Sequence, residues 1–274
     1  MELFSLKNKV IVITGALGLL GQEHVKAIAM AGGNPILLDL NQKKLDNLAQ
    51  KISKLYNVEC YGYEVDITNE RSVKKNCRRI VEVFGKIDGL INNAANNPRV
   101  EDNNKNNNFS RLENFPIEIW DQDLDVSLKG SFLCSKYYGF QISKNLSGGS
   151  IINVSSDLGL VAPNQNLYKK EGLLDDKQSV KPITYSITKH GIIGLTRYLS
   201  TYWADKKVRS NAICPGGVIN NQNPEFIKKV SELIPLGSMA KKEDYHGLII
   251  FLLSDSSSYI NGSIIAADGG RTVW

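Results

Sequence analysis

The sequence predicts an α/β fold in three layers, with helices on both faces of a doubly wound, mainly parallel sheet of seven strands. Three observations carry this. Short runs rich in Val and Ile alternate with longer stretches of helical period. The apolar residues in those runs are consecutive, as in strands covered on both faces. The first run leads directly into a glycine-rich turn, Gly15-Ala16-Leu17-Gly18-Leu19-Leu20-Gly21, and then a helical pattern begins. Such βα alternation builds parallel sheets.

In chain order the strands are Val10–Thr14, Ile36–Asp39, Tyr61–Val65 (the weakest pattern), Ile87–Asn92, Ser150–Ser155, Val208–Cys214 and Ser263–Ala267. Helical patterns fall near 20–32, 41–56, 69–85, 116–145, 182–204 and 241–254. Two stretches break the rhythm: the Asn-rich residues 96–110, and residues 157–181 with Pro163, Asn164, Gln165, Asn166 and a mixed charged run. Both are too poor in apolar surface to be core and read as surface loops. With no repeat and no linker, one domain over 1–274 is expected.

Composition narrows the function classes. Of 274 residues, 42% are hydrophobic and 22% charged, which is ordinary for a globular chain. No stretch reaches the ~18 consecutive apolar residues of a membrane span, and nothing resembles a secretory leader. A cytoplasmic protein with no membrane partner is expected. The net charge of +5 is spread along the chain without a basic stripe, which disfavours nucleic acid. Cys60, Cys77, Cys134 and Cys214, with His24, His190 and His246, make no metal-ligand spacing, so free buried thiols and no metal are expected.

The glycine turn suits a pyrophosphate. Glycines permit a tight turn and close backbone approach, and the helix start offers free N–H groups and a positive dipole end. Asp39, closing the second strand, lies 24 positions after Gly15, near the ~20 at which this fingerprint expects a ribose-binding carboxylate. A carboxylate there accepts from a 2′-hydroxyl and repels a 2′-phosphate, favouring NAD over NADP. Lys43 and Lys44 read as exposed positions on the next helix.

Tyr185 and Lys189 stand four apart in a helical segment that Pro182 is placed to start, so they share a face. Tyrosine is a poor base at its usual pKa of about 10, and a nearby ammonium lowers that value. Other segments recur in fixed order with this pair. They are Thr14-Gly15 with its turn, Asn92-Asn93-Ala94-Ala95, Ser155-Ser156, Pro215-Gly216 and Asp268-Gly269-Gly270. Together, over roughly residues 7–271, the chain resembles the single-domain form of the short-chain dehydrogenase/reductase family.

That resemblance implies a Rossmann-type fold and an oxidoreductase acting on CH–OH groups. It makes Tyr185 the general acid/base, Lys189 the cation that lowers its pKa and holds the nicotinamide ribose, and Ser156 the hydrogen-bond partner of the substrate oxygen. Thr14, Gly15, Gly18, Leu19, Leu20 and Gly21 then form the pyrophosphate turn. Asp39, Asp66, Ile67, Asn92, Asn93, Ala94 and Ala95 line the adenosine side, and Pro215, Gly216 and Val218 the nicotinamide side. A small-molecule substrate and a homo-oligomer, dimer or tetramer, are implied. Trp203, Tyr198 and Tyr202 suit an interface or the core, His190 reads as packing or solvent-facing, and Gly191 and Gly194 as sites of close helix packing.

The chain also departs from the family. Leu19 stands where the short form has glycine, with Gly18 taking the earlier place, a spacing seen in the sugar-nucleotide branch. Ser127 occupies the position of the fourth catalytic residue, usually Asn, which helps hold a proton-relay water. Asn220 replaces the threonine that usually contacts the carboxamide. Ser156 and Tyr185 are 29 positions apart, well beyond the family's spacing, so the fold must join them across an insertion. Asn164, Gln165, Asn166, Tyr168, Lys169 and Lys170 in that insertion, with Arg99 and Arg111 near the other loop, suit a polar, anionic or carbohydrate-like substrate, or are simply solvated. The long loop and the tail resemble members linked to flagellin or surface-glycan modification. Residues 221–235 match a mobile substrate lid with Phe226, Ile227 and Val230 beneath, or form an ordinary surface helix. Two other functions stay open, a non-catalytic NAD-binding protein and a sugar-nucleotide epimerase or dehydratase.

Overall fold

Strand β1 (Val10–Thr14) is buried at all five positions, because Val and Ile on both of its faces meet helices. It anchors a sheet, in a computed structural model that describes residues 2–96 and 109–274, of order β3-β2-β1-β4-β5-β6-β7. The other strands are β2 (Asn34–Asp39), β3 (Tyr61–Glu64), β4 (Gly89–Asn92), β5 (Gly149–Val154), β6 (Val208–Pro215) and β7 (Ile264–Ala267). Every strand pairing is parallel. All seven expected strands are present, with ends shifted by no more than two residues.

The weak pattern of β3 has a positional cause: it is an edge strand with both end residues exposed. Strand order reverses between β1 and β4, and the crevice beyond the carboxyl ends of strands at such a switch is where ligands bind in open α/β sheets.

Helices α1 (Leu19–Met30), α2 (Gln42–Tyr56) and α3 (Glu70–Phe84) alternate with the first strands. Local chemistry sets their ends. The Asn41 side chain accepts from Lys44 N, Asn69 accepts from Arg71 N and Ser72 N, and Asn57 and Gly85 stop their helices in left-handed conformation. The 116–145 pattern forms α4 (Ile117–Leu124), α5 (Gly130–Cys134) and α6 (Phe140–Ile142), joined by π-helical turns at Asp125–Lys129 and Ser135–Gly139. Helix α7 (Ile183–Tyr202) precedes β6. Then come α8 (Pro224–Ser231) and α9 (His246–Leu253), the latter led by a 3-10 turn at Lys242–Tyr245.

Two apolar clusters fill the layers. One packs α1, α2 and α9 on one face of the sheet, and the other packs α3, α5 and α7 on the opposite face. Each fully buried Ile or Leu, such as Ile28 or Ile80, contributes about 1.5–3 kcal/mol. The four cysteines are free and buried. Burial pushes the Cys60 thiol up to about 12 and the Cys77 and Cys214 thiols up to about 11, so they are poor nucleophiles. Among the described residues no helix is long and apolar enough to cross a membrane.

The 157–181 segment differs from the simple surface loop expected. Asp157, Leu158 and Gly159 are buried at its start, and Gln178 is 7% exposed near its end. The Gln178 amide accepts from Lys170 N and donates to the carbonyls of Lys170 and Leu173, supplying the partners that a loop without a ladder otherwise lacks.

Candidate active site

The glycine turn tests whether a dinucleotide fits. Gly15 has φ +63°, and a Cβ there would lie 2.8 Å from Ala94 Cα. A Cβ on Gly21 would lie 2.1 Å from the Gly15 carbonyl oxygen, so both positions demand glycine. Gly18 is less constrained: its φ is −70° and its Cβ would stand 3.2 Å from the same oxygen. Leu19 therefore replaces the family's glycine without strain, as the first residue of α1, with its side chain at the cavity wall. No side chain caps α1 and no acidic residue sits in its first turn, which leaves its N-terminal N–H groups for an anion. The cradle fits a pyrophosphate.

The adenosine side is built on Asp39. Its carboxylate accepts from Leu17 N at 2.9 Å and Leu40 N at 2.8 Å, which holds it beside a groove of about 460 Å³ shared with Gln22, Asn41 and Lys44. Lys44 is thus more than an exposed helix position: it borders the same groove as Asp39. Asn93 ties the two sides of the switch point together, donating from Nδ2 to the carbonyls of Thr14 and Gly15. Asn93 N and Ala94 N both donate to Thr14 Oγ1.

The Asn92 side chain faces elsewhere. Asn92 is 2% exposed and donates to Ser135 Oγ and Asn153 Oδ1, so its side chain joins β4 to β5 rather than lining the adenosine side. Asp66 accepts from Thr68 N and Oγ1, while the Ile67 side chain is buried against the α5 start at Gly130.

A cavity of about 600 Å³ runs on from the turn. Leu19, Leu20, Asn93 and Ala95 border it at one end, then Ser156, Tyr185, Lys189, Pro215, Gly216 and Val218. The 29-residue gap is bridged: Tyr185 hydrogen-bonds the Ser156 side chain. Ser155 has a different task, its hydroxyl donating to the Lys189 carbonyl at 2.7 Å and fastening α7 to the end of β5. On the nicotinamide side Gly216 packs against Asp268, whose carboxylate accepts from Gly270 N and Thr272 N, and Val218 bridges to Ala240. Asn220 also borders the cavity.

Electrostatics at the phenol depart from the sequence expectation. Burial raises the Tyr185 pKa above its ordinary value, Ser156 lowers it and Asp157 raises it. Lys189 does not reverse this: its Nζ donates to the Val154 carbonyl at 3.0 Å and lies 5.7 Å from the Tyr185 ring centroid. Burial, then Lys181, bring the Lys189 pKa down to about 8, which reduces its charge at the pH where a base would be needed. Lys181, which sequence reasoning passed over, stands with its Nζ 3.8 Å from the Tyr185 ring centroid, its own pKa brought by burial to about 8.

Ser127 is 3% exposed and lies within the first π-helical turn. Its carbonyl accepts from Ser131 Oγ at 2.6 Å, and among the described residues no hydrogen bond joins it to Lys189.

The other end of the cavity is formed by the insertion, residues 221–235 and the tail. Phe226, Ile227 and Val230 cluster with Ile234, Met239 and Leu167. The tail braces this segment through Leu236 N to the Gly269 carbonyl and Trp274 Nε1 to the Leu233 carbonyl. Tyr168, Lys169 and Lys170 line the cavity. Asn164 and Gln165 are spent on the loop itself, accepting from Asn166 N and Lys181 N. Arg111 is engaged by Glu113 and the Asp175 carbonyl, and Arg99 lies outside the described residues. Sequence reading also missed Asp157 with Arg271. They lie 114 positions apart, and neither separation nor residue type marks them as partners.

Comparison with known proteins agrees with this geometry. A family model for short chain dehydrogenase matches residues 9–169, and one described as enoyl-(acyl carrier protein) reductase matches residues 177–272. An uncharacterized oxidoreductase of Thermotoga maritima is 31% identical, over 97% of this chain and 98% of its own. The post-translational flagellin modification protein A of Campylobacter coli is 29% identical over 97% of this chain and 98% of its own. The NAD-dependent glycerol dehydrogenase of Listeria innocua is 29% identical over 98% and 96% respectively. A gluconate 5-dehydrogenase from Burkholderia cenocepacia, solved with NADP and tartrate, superposes with a TM-score of 0.86 at 22% identity, covering 100% of this chain and 98% of that one. The chain belongs to the short-chain dehydrogenase/reductase family and is an oxidoreductase acting on CH–OH groups.

Proposed function

We propose that this protein is an NAD-dependent oxidoreductase that moves a hydride between the nicotinamide and an alcohol or carbonyl carbon of a polar, carbohydrate-like substrate. The observation that carries this is one continuous cavity joining the glycine turn to Ser156, Tyr185 and Lys189. When bound, NAD supplies the hydride acceptor or donor. Tyr185 exchanges a proton with the substrate oxygen at its Oη, and Ser156 hydrogen-bonds that oxygen as charge develops on it. Lys189 holds the nicotinamide ribose and supplies positive charge beside the phenol.

Asp39, fixed by two backbone N–H groups, favours a ribose hydroxyl over a 2′-phosphate, while Lys44 on the same groove works against it. The glycerol dehydrogenase relative supports NAD. Lys169, Lys170, Asn220 and Gln222 at the cavity end favour a polar substrate, in keeping with polyol and flagellin-modifying relatives. The chain acts as one domain over residues 1–274 in the cytoplasm, where its free thiols stay reduced. Phe132, Phe140, Tyr198 and Tyr202 are each half exposed or more on α5, α6 and α7, and we assign that face to a homodimer or tetramer.

A screen of purified protein with NAD or NADP against glycerol, mannitol, sorbose, gluconate and nucleotide-sugars, read by reduced-cofactor absorbance, tests the proposal. Turnover of a polyol or sugar with NAD is expected. Turnover confined to apolar alcohols would contradict the substrate reading.

A further inference from the structure

The Ser156 hydroxyl does not point its proton at Tyr185. It donates to Asp157 Oδ1 at 2.7 Å, and the same oxygen accepts from Leu158 N at 2.8 Å. Asp157 Oδ2 accepts from Arg271 Nη1 at 2.8 Å, in an ion pair whose side chains are 9% and 8% exposed. A serine hydroxyl has one proton. While Asp157 holds it, Ser156 meets Tyr185 only as an acceptor, and the phenol must donate. To stabilise charge on a substrate oxygen or on the phenolate, the hydroxyl must turn away from Asp157.

We propose that Asp157 and Arg271 are a positioning pair that sets which way the Ser156 hydroxyl points. This rests on the catalytic reading of Ser156 and Tyr185. Arg271 shares the Asp157 carboxylate and weakens its hold on the Ser156 proton, so the hydroxyl can swing to the reacting oxygen. Arg271 also comes from the tail that braces the lid, through Gly269 to Leu236 and Trp274 to Leu233. Lid position and serine orientation are therefore linked through one guanidinium. Burial makes such a pair sensitive to the loss of either partner.

The charged and titratable groups around the phenol are Lys181 ahead of α7, Lys189 within it, Asp157 after β5, Tyr168 in the insertion and Arg271 in the tail. The test follows the Tyr185 titration by NMR of the full chain labelled at tyrosine Cζ, with the signal assigned by Tyr185→Phe. No substrate is needed. Asp157→Asn removes the anion and is expected to move the Tyr185 midpoint down. Arg271→Met leaves the anion unneutralised and is expected to move it up, and Arg271→Lys is expected to restore most of the wild-type value. With mannitol and NAD, Arg271→Met is expected to lower kcat about tenfold with little change in KM, and to add little in a Ser156→Ala background.

Shifts of one sign for both Asp157→Asn and Arg271→Met, or none, overturn the pairing. So do kcat effects that simply multiply with Ser156→Ala. Should Arg271→Met fail to fold, the double variant Asp157→Asn/Arg271→Met removes the unpaired buried charge, and a midpoint closer to wild type than that of Asp157→Asn is expected. An active Tyr185→Phe would instead remove the catalytic reading itself, whatever the titrations show.

Discussion

Lys181, just ahead of α7, and Lys189 within it, each four residues from Tyr185, converge on its ring, 3.8 and 5.7 Å from the centroid. Each ammonium is buried, and each has its pKa brought down to about 8. Carbonyl reduction needs a protonated phenol and charged lysines. Because burial raises Tyr185, its proton is retained well above neutrality, and the lysines are the first to change state as pH rises. The reduction rate at saturating reduced cofactor is expected to be flat below about pH 8 and to fall above it. A rate that climbs through pH 9 would contradict this.

Lys181→Met removes the nearer cation. Lys189 then loses a like charge that depresses its pKa, so the falling limb is expected to move to higher pH. Unchanged limbs in the variant would show that Lys181 is electrostatically silent at this site.

The turn makes a graded prediction. Gly21→Ala forces a Cβ to within 2.1 Å of the Gly15 carbonyl oxygen, whereas Gly18→Ala brings one only to 3.2 Å. Gly21→Ala is expected to weaken NAD binding at least about tenfold, about 1.4 kcal/mol, and to lower Tm. Gly18→Ala is expected to keep binding within a few-fold. Calorimetric titration with NAD distinguishes them, and equal losses would contradict the geometry.

His24 sets an acid limit on stability. It is fully buried, and burial, with His246 nearby, brings its pKa down to about 3. The folded state then keeps His24 neutral between about pH 6.5 and 3, while the unfolded chain binds the proton. Its contribution is present above pH 6.5 and is lost at about 1.4 kcal/mol per pH unit on acidification. His24→Leu is expected to flatten the dependence of unfolding free energy on pH between 6 and 4. The same slope in the variant would exclude His24 as the cause.

The fold was legible because β1 and β2 carry unbroken Val/Ile/Leu runs and the turn after β1 has its own glycine signature. Tyr185 and Lys189 could be picked out by their spacing, and Ser156 by its place after the fifth strand. What sequence could not supply was side-chain direction. Asn92 and Asn93 look equivalent on paper, yet pleating turns the first into the sheet and leaves the second across the switch point. Gly191 packs against Leu128 as expected, while Gly194 has nothing within 4 Å of its would-be Cβ. Tyr198 and Tyr202 stack on the surface, whereas Trp203, next in line, packs over Gly139. Nor does spacing reveal that the Lys189 ammonium is tied to the Val154 carbonyl.

The most direct measurement is hydride transfer by Tyr185→Phe, set beside its NAD affinity. A variant that binds NAD as tightly as the parent yet reduces it at least about a hundredfold more slowly with the preferred polyol is the expected result. Turnover at the parent rate would show that the phenol at the centre of the cavity is not the proton carrier.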